Sequence, residues 1–376
     1  MSVLVIAAAA GLGAAGPASH AAAGTTTARP PTAYVVNSDS GTVTPITTAT
    51  NTPGRPIRVG EGPLAIAVTP NGKTAYVVNA ISDTVTPITT ATNTPGRPIP
   101  VGGDPANNDP SAIAITPNGK TAYVVNTLGH TVTPITIATN TAGPAIPAGL
   151  DPSVIAITPD SKTAYVLTLN SVVPIATATN TAGRPIKVGA GPSAIAITPN
   201  GKTAYVTAFS GTVTPIATAT NTPGARIPAG STPDAIAITP DGKTAYVAEG
   251  TAPGAVTPIT IATNTARAPI AVGGSPGIIA ITPNGKTAYV TGDTSLSPAT
   301  MTPIATATNT ARPPVPVGAS PAAIAITANG KTAYVVNNFS DTVTPVTTAS
   351  NTAGTPIPVG DSPVAIAITP RRCHRA

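Results

Sequence analysis

Residues 70–79 read PNGKTAYVVN, and the same ten residues stand again at 117–126. PNGKTAYVTA follows from Pro199 and PNGKTAYVTG from Pro283. Within this stretch Asn-Gly is a tight-turn pair whose members tolerate positive φ. The residues after it, rich in Val, Tyr and Thr, suit a pleated strand. All eight tyrosines of the chain lie in the tripeptide Ala-Tyr-Val, at Tyr34, Tyr76, Tyr123, Tyr165, Tyr205, Tyr246, Tyr289 and Tyr334. Successive spacings are 42, 47, 42, 40, 41, 43 and 45 residues. The chain is therefore a string of copies of one unit.

Each unit holds four β-type segments. The first is AIAIT, as at Ala112, and the second is TAYVV. The third is TVTPI running into TATNT, and the fourth is a short PIPVG. Four short strands in about 40–45 residues are the signature of a propeller blade. The order of the ends strengthens this reading. The chain opens on a second-type strand at Thr32 and finishes on a lone first-type strand, VAIAIT, over residues 364–369. Pairing these two ends completes one composite blade and hides the terminal sheet edges. The expectation is an all-β, closed propeller of eight four-stranded blades, with seven as the alternative. One feature conflicts with the pattern. Pro45, Pro87, Pro134, Pro174, Pro215, Pro258, Pro303 and Pro345 fall inside the third strand, where a central ladder excludes proline. A short fourth strand resolves this if the missing N–H lies on a partly unpaired side or at a bulge.

Composition agrees. Among 376 residues, charged side chains make up 9% and aromatic ones 3%, with no tryptophan. Cys373 is the only cysteine, so no disulfide framework forms within one chain and stability rests on packing. Residues 1–23 hold a short apolar run followed by small residues, the pattern of a secretory signal cleaved after Ala21 or Ala23. The basic residues that open such a signal are missing, and a disordered Ala/Gly leader is the alternative. Residues 24–31 then read as a linker, 32–370 as one propeller domain and 371–376 as a disordered tail. No later segment reaches the roughly 18 apolar residues of a membrane span. An extracellular or cell-envelope location follows from this reading, with the ring a monomer.

The strand AYVVN or AYVTG, the turn PNGKT and the segment TATNT together resemble the YVTN-type β-propeller repeat. That repeat is found in surface-layer and secreted bacterial proteins and is related to lactonase-like propellers. The resemblance spans about residues 32 to 370. The usual repeat reads Val-Ile-Asp before Thr-Ala-Thr-Asn, whereas this chain reads TPITTATNT or TPIATATNT, without the acid. What the resemblance implies is a secreted propeller, and little about substrate.

Successive hairpin loops alternate between the two faces of a disc. Loops between the first and second strands and between the third and fourth therefore share one face. On it the sequence places Lys73, Lys120, Lys162, Lys202, Lys243, Lys286 and Lys331, with Arg55, Arg97, Arg184, Arg226, Arg267 and Arg312, against Asp160 and Asp241. The opposite face collects Asp39, Glu61, Asp83, Asp104, Asp109, Asp151, Asp234, Glu249, Asp293, Asp341 and Asp361. A formal net charge of +6 thus conceals two faces of opposite sign. The basic face suits an anionic cell-wall polymer or another surface protein, held by salt-sensitive attraction. Nucleic acid is not expected as a partner, because no aromatic platform accompanies the charge and the chain reads as exported. A solubilising lysine, copied with each blade, is the plain alternative.

The acidic face offers oxygen ligands for a hard cation such as Ca or Mg. The best cluster is GGDPANNDPSA at 102–112, with Asp104, Asn107, Asn108 and Asp109, joined by Asp151, Asp234 and Asp361. No resident cofactor is otherwise expected. For catalysis the sequence offers little. The first-type strands read as Ala, Ile, Val and Thr without an ionisable group, and His130 is a lone loop histidine. No catalytic residue is assigned. The reading that results is a binding or interaction scaffold. Its alternative is a lactonase-like hydrolase using a divalent cation on the acidic face.

Overall fold

The computed structural model describes residues 30–102, 108–251, 253–293 and 299–371. These form strands and turns alone, gathered into eight antiparallel sheets that circle one axis. In blade 1 the innermost strand is Pro63–Val68, the second Thr74–Asn79 and the third Thr84–Thr89. The outer edge is broken into two pieces, Thr94–Pro95 and Ile99–Pro100, both paired with the third strand. Blades 2 to 7 repeat this over 110–147, 154–187, 192–228, 233–271, 275–316 and 321–358. Blade 8 takes its innermost strand, Pro363–Ile368, from one end of the chain and its second, Thr32–Asn37, from the other. The ring therefore has eight blades, closed by the composite blade that the strand order at the ends anticipates.

The turn chemistry explains why each unit folds alike. In blade 1 the Thr69 N–H donates to the Thr74 carbonyl at 2.9 Å, and the Thr74 N–H donates to Thr69 Oγ1 at 3.1 Å. Asn71 Oδ1 accepts from the Lys73 N–H at 2.9 Å, while Gly72 turns the chain at φ +67°. Across the chain ends the same bonds recur. The Thr369 N–H donates to the Thr32 carbonyl at 2.9 Å, and the Thr32 N–H to Thr369 Oγ1 at 2.9 Å. Blade 8 thus keeps the hairpin with its turn cut open.

The proline in the third strand finds its place at the break in the outer edge. Pro134 stands opposite Tyr123 in the register, and its carbonyl accepts from the Gly143 N–H at 2.7 Å. In a strand the N and C=O of one residue point to the same side. The absent N–H therefore faces the gap between Thr141–Ala142 and Ile146–Pro147, where no strand partner is lost.

Both faces of every sheet are buried, each against one neighbour. Tyr76, Val78, Val85 and Ile99 of blade 1 pack on Ile113, Ala122, Val124 and Ile135 of blade 2. Each tyrosine is at most 1% exposed, and its O–H donates across the interface to an asparagine of the next blade. Tyr123 reaches Asn180 Oδ1 at 2.6 Å, and Tyr334 reaches Asn51 Oδ1 at 2.6 Å across the closure. Burial pushes the phenols of Tyr76, Tyr123, Tyr165 and Tyr334 up to about 12, so they stay neutral donors. The receiving asparagines sit in the left-handed region, at φ +53° for Asn140 and +54° for Asn180, a conformation that asparagine tolerates. This is why TATNT returns in unit after unit: its asparagine fastens one blade to the one before.

Candidate functional site

The lysine face is built by the first turn of each blade. Lys73, Lys120, Lys162, Lys202, Lys243, Lys286 and Lys331 all lie there and all are exposed. Each lysine carbonyl accepts the N–H of the residue that follows the third strand, for example Thr90 on Lys73 at 3.0 Å and Ile137 on Lys120 at 3.0 Å. That bond sets the seven backbones at a common height. Neighbouring turns also touch. A Cβ on Gly119 would stand 3.6 Å from Pro70 Cδ, and one on Gly242 would stand 3.5 Å from Pro199 Cδ. The turns form a collar rather than isolated tips. Lys162 pairs with Asp160 at 3.7 Å and Lys243 with Asp241 at 3.8 Å. Asp160 is held below the usual carboxylate range first by the hydrogen bond from Thr158, and Asp241 likewise by Thr239. Among the described residues the other five lysines make no ion pair.

The arginines do not join this collar, contrary to the expectation from sequence. Arg55 lies in the excursion between Thr52–Pro53 and Ile57–Arg58, at mid-height on the perimeter of the disc. Arg267 and Arg312 occupy the equivalent excursions of blades 5 and 6, donating their own N–H groups to the carbonyls of Pro258 and Pro303. The guanidinium of Arg226 donates to the Val188 carbonyl of the preceding blade at 3.0 Å. The fourth strand is not one continuous piece. Because it is broken, the Pro-Gly-Arg segment bulges sideways instead of capping a hairpin.

On the opposite face the loop after each second strand leans on the loop that enters the same blade. The Ala80 N–H donates to the Gly62 carbonyl, Phe209 to Gly191 and Asn338 to Ser320, each at 2.9 Å. Here the candidate cation ligands are spread out. Asp104 and Asn107 lie outside the described residues. Asn108 is buried, and its N–H and that of Asp109 both donate to the Asp83 carboxylate, at 3.1 Å each. Burial, and then the charge of Asp83, holds the Asp109 carboxyl above its ordinary value. Asp151, in blade 3, donates its N–H to His130 Nδ1 at 3.1 Å. Asp361, at the entry to blade 8, donates its N–H to Ser40 Oγ at 2.6 Å. Among the described residues no three His, Cys, Asp or Glu side chains converge as a metal site.

Asp234 corrects a second expectation, that no ionisable group stands on an innermost strand. It lies in Pro233–Ile238, at the point where the register shifts between Pro233 and Ala235. The same bulge interrupts the innermost strand of every blade except the third. Bulges re-aim the extra residue, and in blade 5 that residue is an aspartate whose carboxylate lies against Gly250, in the loop after the second strand. Burial raises its pKa. One group at this face escaped the sequence reading. Ile81, Leu128, Leu169, Phe209 and Phe339 are large, exposed and set in the loops after the second strands, with Leu150 beside them. Their signal was an Ile or Phe inside a turn, as in NAISDT and NNFSDT, where another copy has NSDSGT.

No family model matches the chain, and no curated protein matches it. Solved structures do. AztD from Citrobacter koseri is 12% identical, with a TM-score of 0.68 over 92% of this chain and 100% of that one. A putative 6-phosphogluconolactonase from Bacteroides fragilis is 18% identical, with a TM-score of 0.60 over 92% and 99%. The dihydro-heme d1 dehydrogenase NirN is 14% identical, with a TM-score of 0.74 over 89% of this chain and 74% of that one. At such identities the likeness shows the fold alone. It is a propeller.

Proposed function

We propose that this protein is a binding scaffold of the cell envelope or exterior, whose lysine collar holds an anionic cell-wall polymer. The observation behind this reading is the collar itself. Seven lysines stand exposed at one height on touching turns, and two of them are paired. Lysine is a compact, strongly hydrated point charge that attracts repeated phosphate or carboxylate groups without demanding one geometry. A polymer that presents such groups along its length meets several lysines at once. The resemblance of the repeat to YVTN-type propellers supports a place outside the cytoplasm. A lactonase-like hydrolase with a divalent cation has less behind it, because among the described residues no three His, Cys, Asp or Glu side chains converge there.

Co-sedimentation with isolated bacterial cell wall across a salt series tests the proposal. Binding is expected at low salt and is expected to vanish toward about 1 M, where the screening length is about 3 Å. The variant Lys73→Glu, Lys202→Glu, Lys286→Glu, Lys331→Glu is expected to lose binding while melting like the parent, since these side chains reach into solvent. Binding that survives high salt, or that the variant retains, removes the collar from the account.

A further inference from the structure

The units are near-copies, yet their differences are not spread evenly. The turns of the lysine face read PNGK, PNGK, PDSK, PNGK, PDGK, PNGK and ANGK. The loops after the second strands read SDSG at 38–41, AISD at 80–83, TLGH at 127–130, TLN at 168–170, FSG at 209–211 and NFSD at 338–341. One face is uniform and the other has diverged. The divergence also has a direction. The chain contains only two phenylalanines, Phe209 and Phe339, and both stand in these loops, 54% and 80% exposed. Ile81, in the equivalent loop of blade 1, is 72% exposed. With Leu128, Leu150 and Leu169 these are the large hydrophobic side chains exposed among the described residues, and none lies on the lysine face. A core made of Ala, Val, Ile and Tyr has no need of them, since they pack outward.

Around the ring they fall on five of six consecutive blades. Phe339 belongs to blade 7, Ile81 to blade 1, Leu128 to blade 2, Leu150 and Leu169 to blade 3, and Phe209 to blade 4. Blade 8, between Phe339 and Ile81, contributes Asp39 and its entry loop Asp361 instead. Exposed carboxylates accompany them on blades 7, 8, 1 and 3, as Asp341, Asp361, Asp39, Glu61 and Asp151, against two exposed cations, Arg58 and Lys187, on the outer edge. Large apolar side chains exposed at loop tips on one face of a rigid frame can serve as anchors for a partner.

We propose that this arc docks a polypeptide segment that presents Lys or Arg side chains alongside apolar ones. The apolar tips supply anchors, and the carboxylates that accompany them favour a cationic partner and reject anionic ones. An anionic bilayer fails on that sign. A second copy of this chain fails as well, because its basic face offers lysines without apolar neighbours. The inference is independent of the lysine collar, which lies on the far side of the disc.

The test uses two short fluorescent amphipathic peptides of equal length and apolar pattern, one of Lys and Leu and the other of Glu and Leu. The full chain is expected to bind the Lys peptide at least about tenfold more tightly than the Glu peptide. The variant Ile81→Ser, Leu128→Ser, Phe209→Ser, Phe339→Ser keeps every charge and is expected to weaken that binding by about tenfold or more, with an unchanged melting temperature. The four-lysine variant above is expected to bind the Lys peptide as the parent does, which separates failure here from failure of the collar. Equal binding of both peptides overturns the proposal, as does undiminished binding by the serine variant. It is also overturned if the serine changes instead abolish sedimentation with phospholipid vesicles or a concentration-dependent dimer.

Discussion

At the scale of single residues, the ring depends on the bond between each tyrosine and an asparagine one blade on. Tyr123 is fully buried apart from the path of its O–H to Asn180 Oδ1 at 2.6 Å. Tyr123→Phe keeps the packed ring and removes that bond together with the longer one to the Thr177 carbonyl at 3.3 Å. Because Asn180 is exposed and water takes over its oxygen, the expected loss is about 1 kcal/mol, read as a lower urea midpoint with an unchanged slope. Asn180→Ala removes the acceptor and also the residue that tolerates φ +54°, so its expected cost is larger, about 2 kcal/mol. A Tyr123→Phe variant as stable as the parent would mean that the asparagine serves its own turn and not the interface. These partners were hidden in the sequence for a definite reason. Both residues occur in every unit, so pairing within a unit and pairing with the next look the same on paper. Tyr123 and Asn180 are 57 residues apart, and only the ring decides between them.

At the scale of elements, the strands were legible and their irregularities were not. The Asn-Gly turn, the alternation in AIAIT and the Tyr strand each announce themselves locally, and the proline in the third strand even foretold an incomplete outer partner. What a strand pattern does not carry is the bulge. PDAIAI at 233–238 reads like PSAIAI at 192–197, and nothing in either marks residue 234 or 193 as the extra residue of a shifted register. Thus the sequence places Asp234 among the loop acids, whereas it stands on an innermost strand. Its folded-state pKa is raised by burial, so the folded protein binds more protons than the unfolded chain between the two values. The contribution of this group to stability is therefore full in acid, below the unfolded pKa, and is lost as pH rises through the folded one. Asp234→Asn removes that loss. It is expected to raise the melting temperature near pH 7 and to give no gain near about pH 3, where the native carboxyl is already protonated. A fall near pH 7 would show that the carboxylate is held by a favourable partner there.

At the scale of the whole molecule, closure turns two chain ends into one hairpin. Thr369 and Thr32 exchange the bonds that Thr69 and Thr74 exchange in blade 1, at 2.9 Å against 2.9 and 3.1 Å. The position of the cut is then a matter of indifference to the ring, since seven other turns of the same geometry are available. Joining Thr369 to Thr32 through Pro-Asn-Gly-Lys, and opening the chain between Gly201 and Lys202, gives a permutant with the same interfaces. It would also add an eighth lysine to the collar at the place where both ends now leave the disc. The permutant is expected to unfold in one cooperative transition within about 3 °C of the parent, the effect of roughly 1 kcal/mol in a large domain. The join leaves out Arg29, Arg371, Arg372 and Arg375, so the reference is the linear chain 32–369, over which cell-wall binding at low salt is expected to rise if the collar acts by summed charge. A permutant that folds but melts in two steps would show that the blade 8 pairing carries cooperativity that an ordinary turn does not. One that melts like the parent, with cell-wall binding no higher than that of the linear chain 32–369, would leave the ring intact and count against the collar.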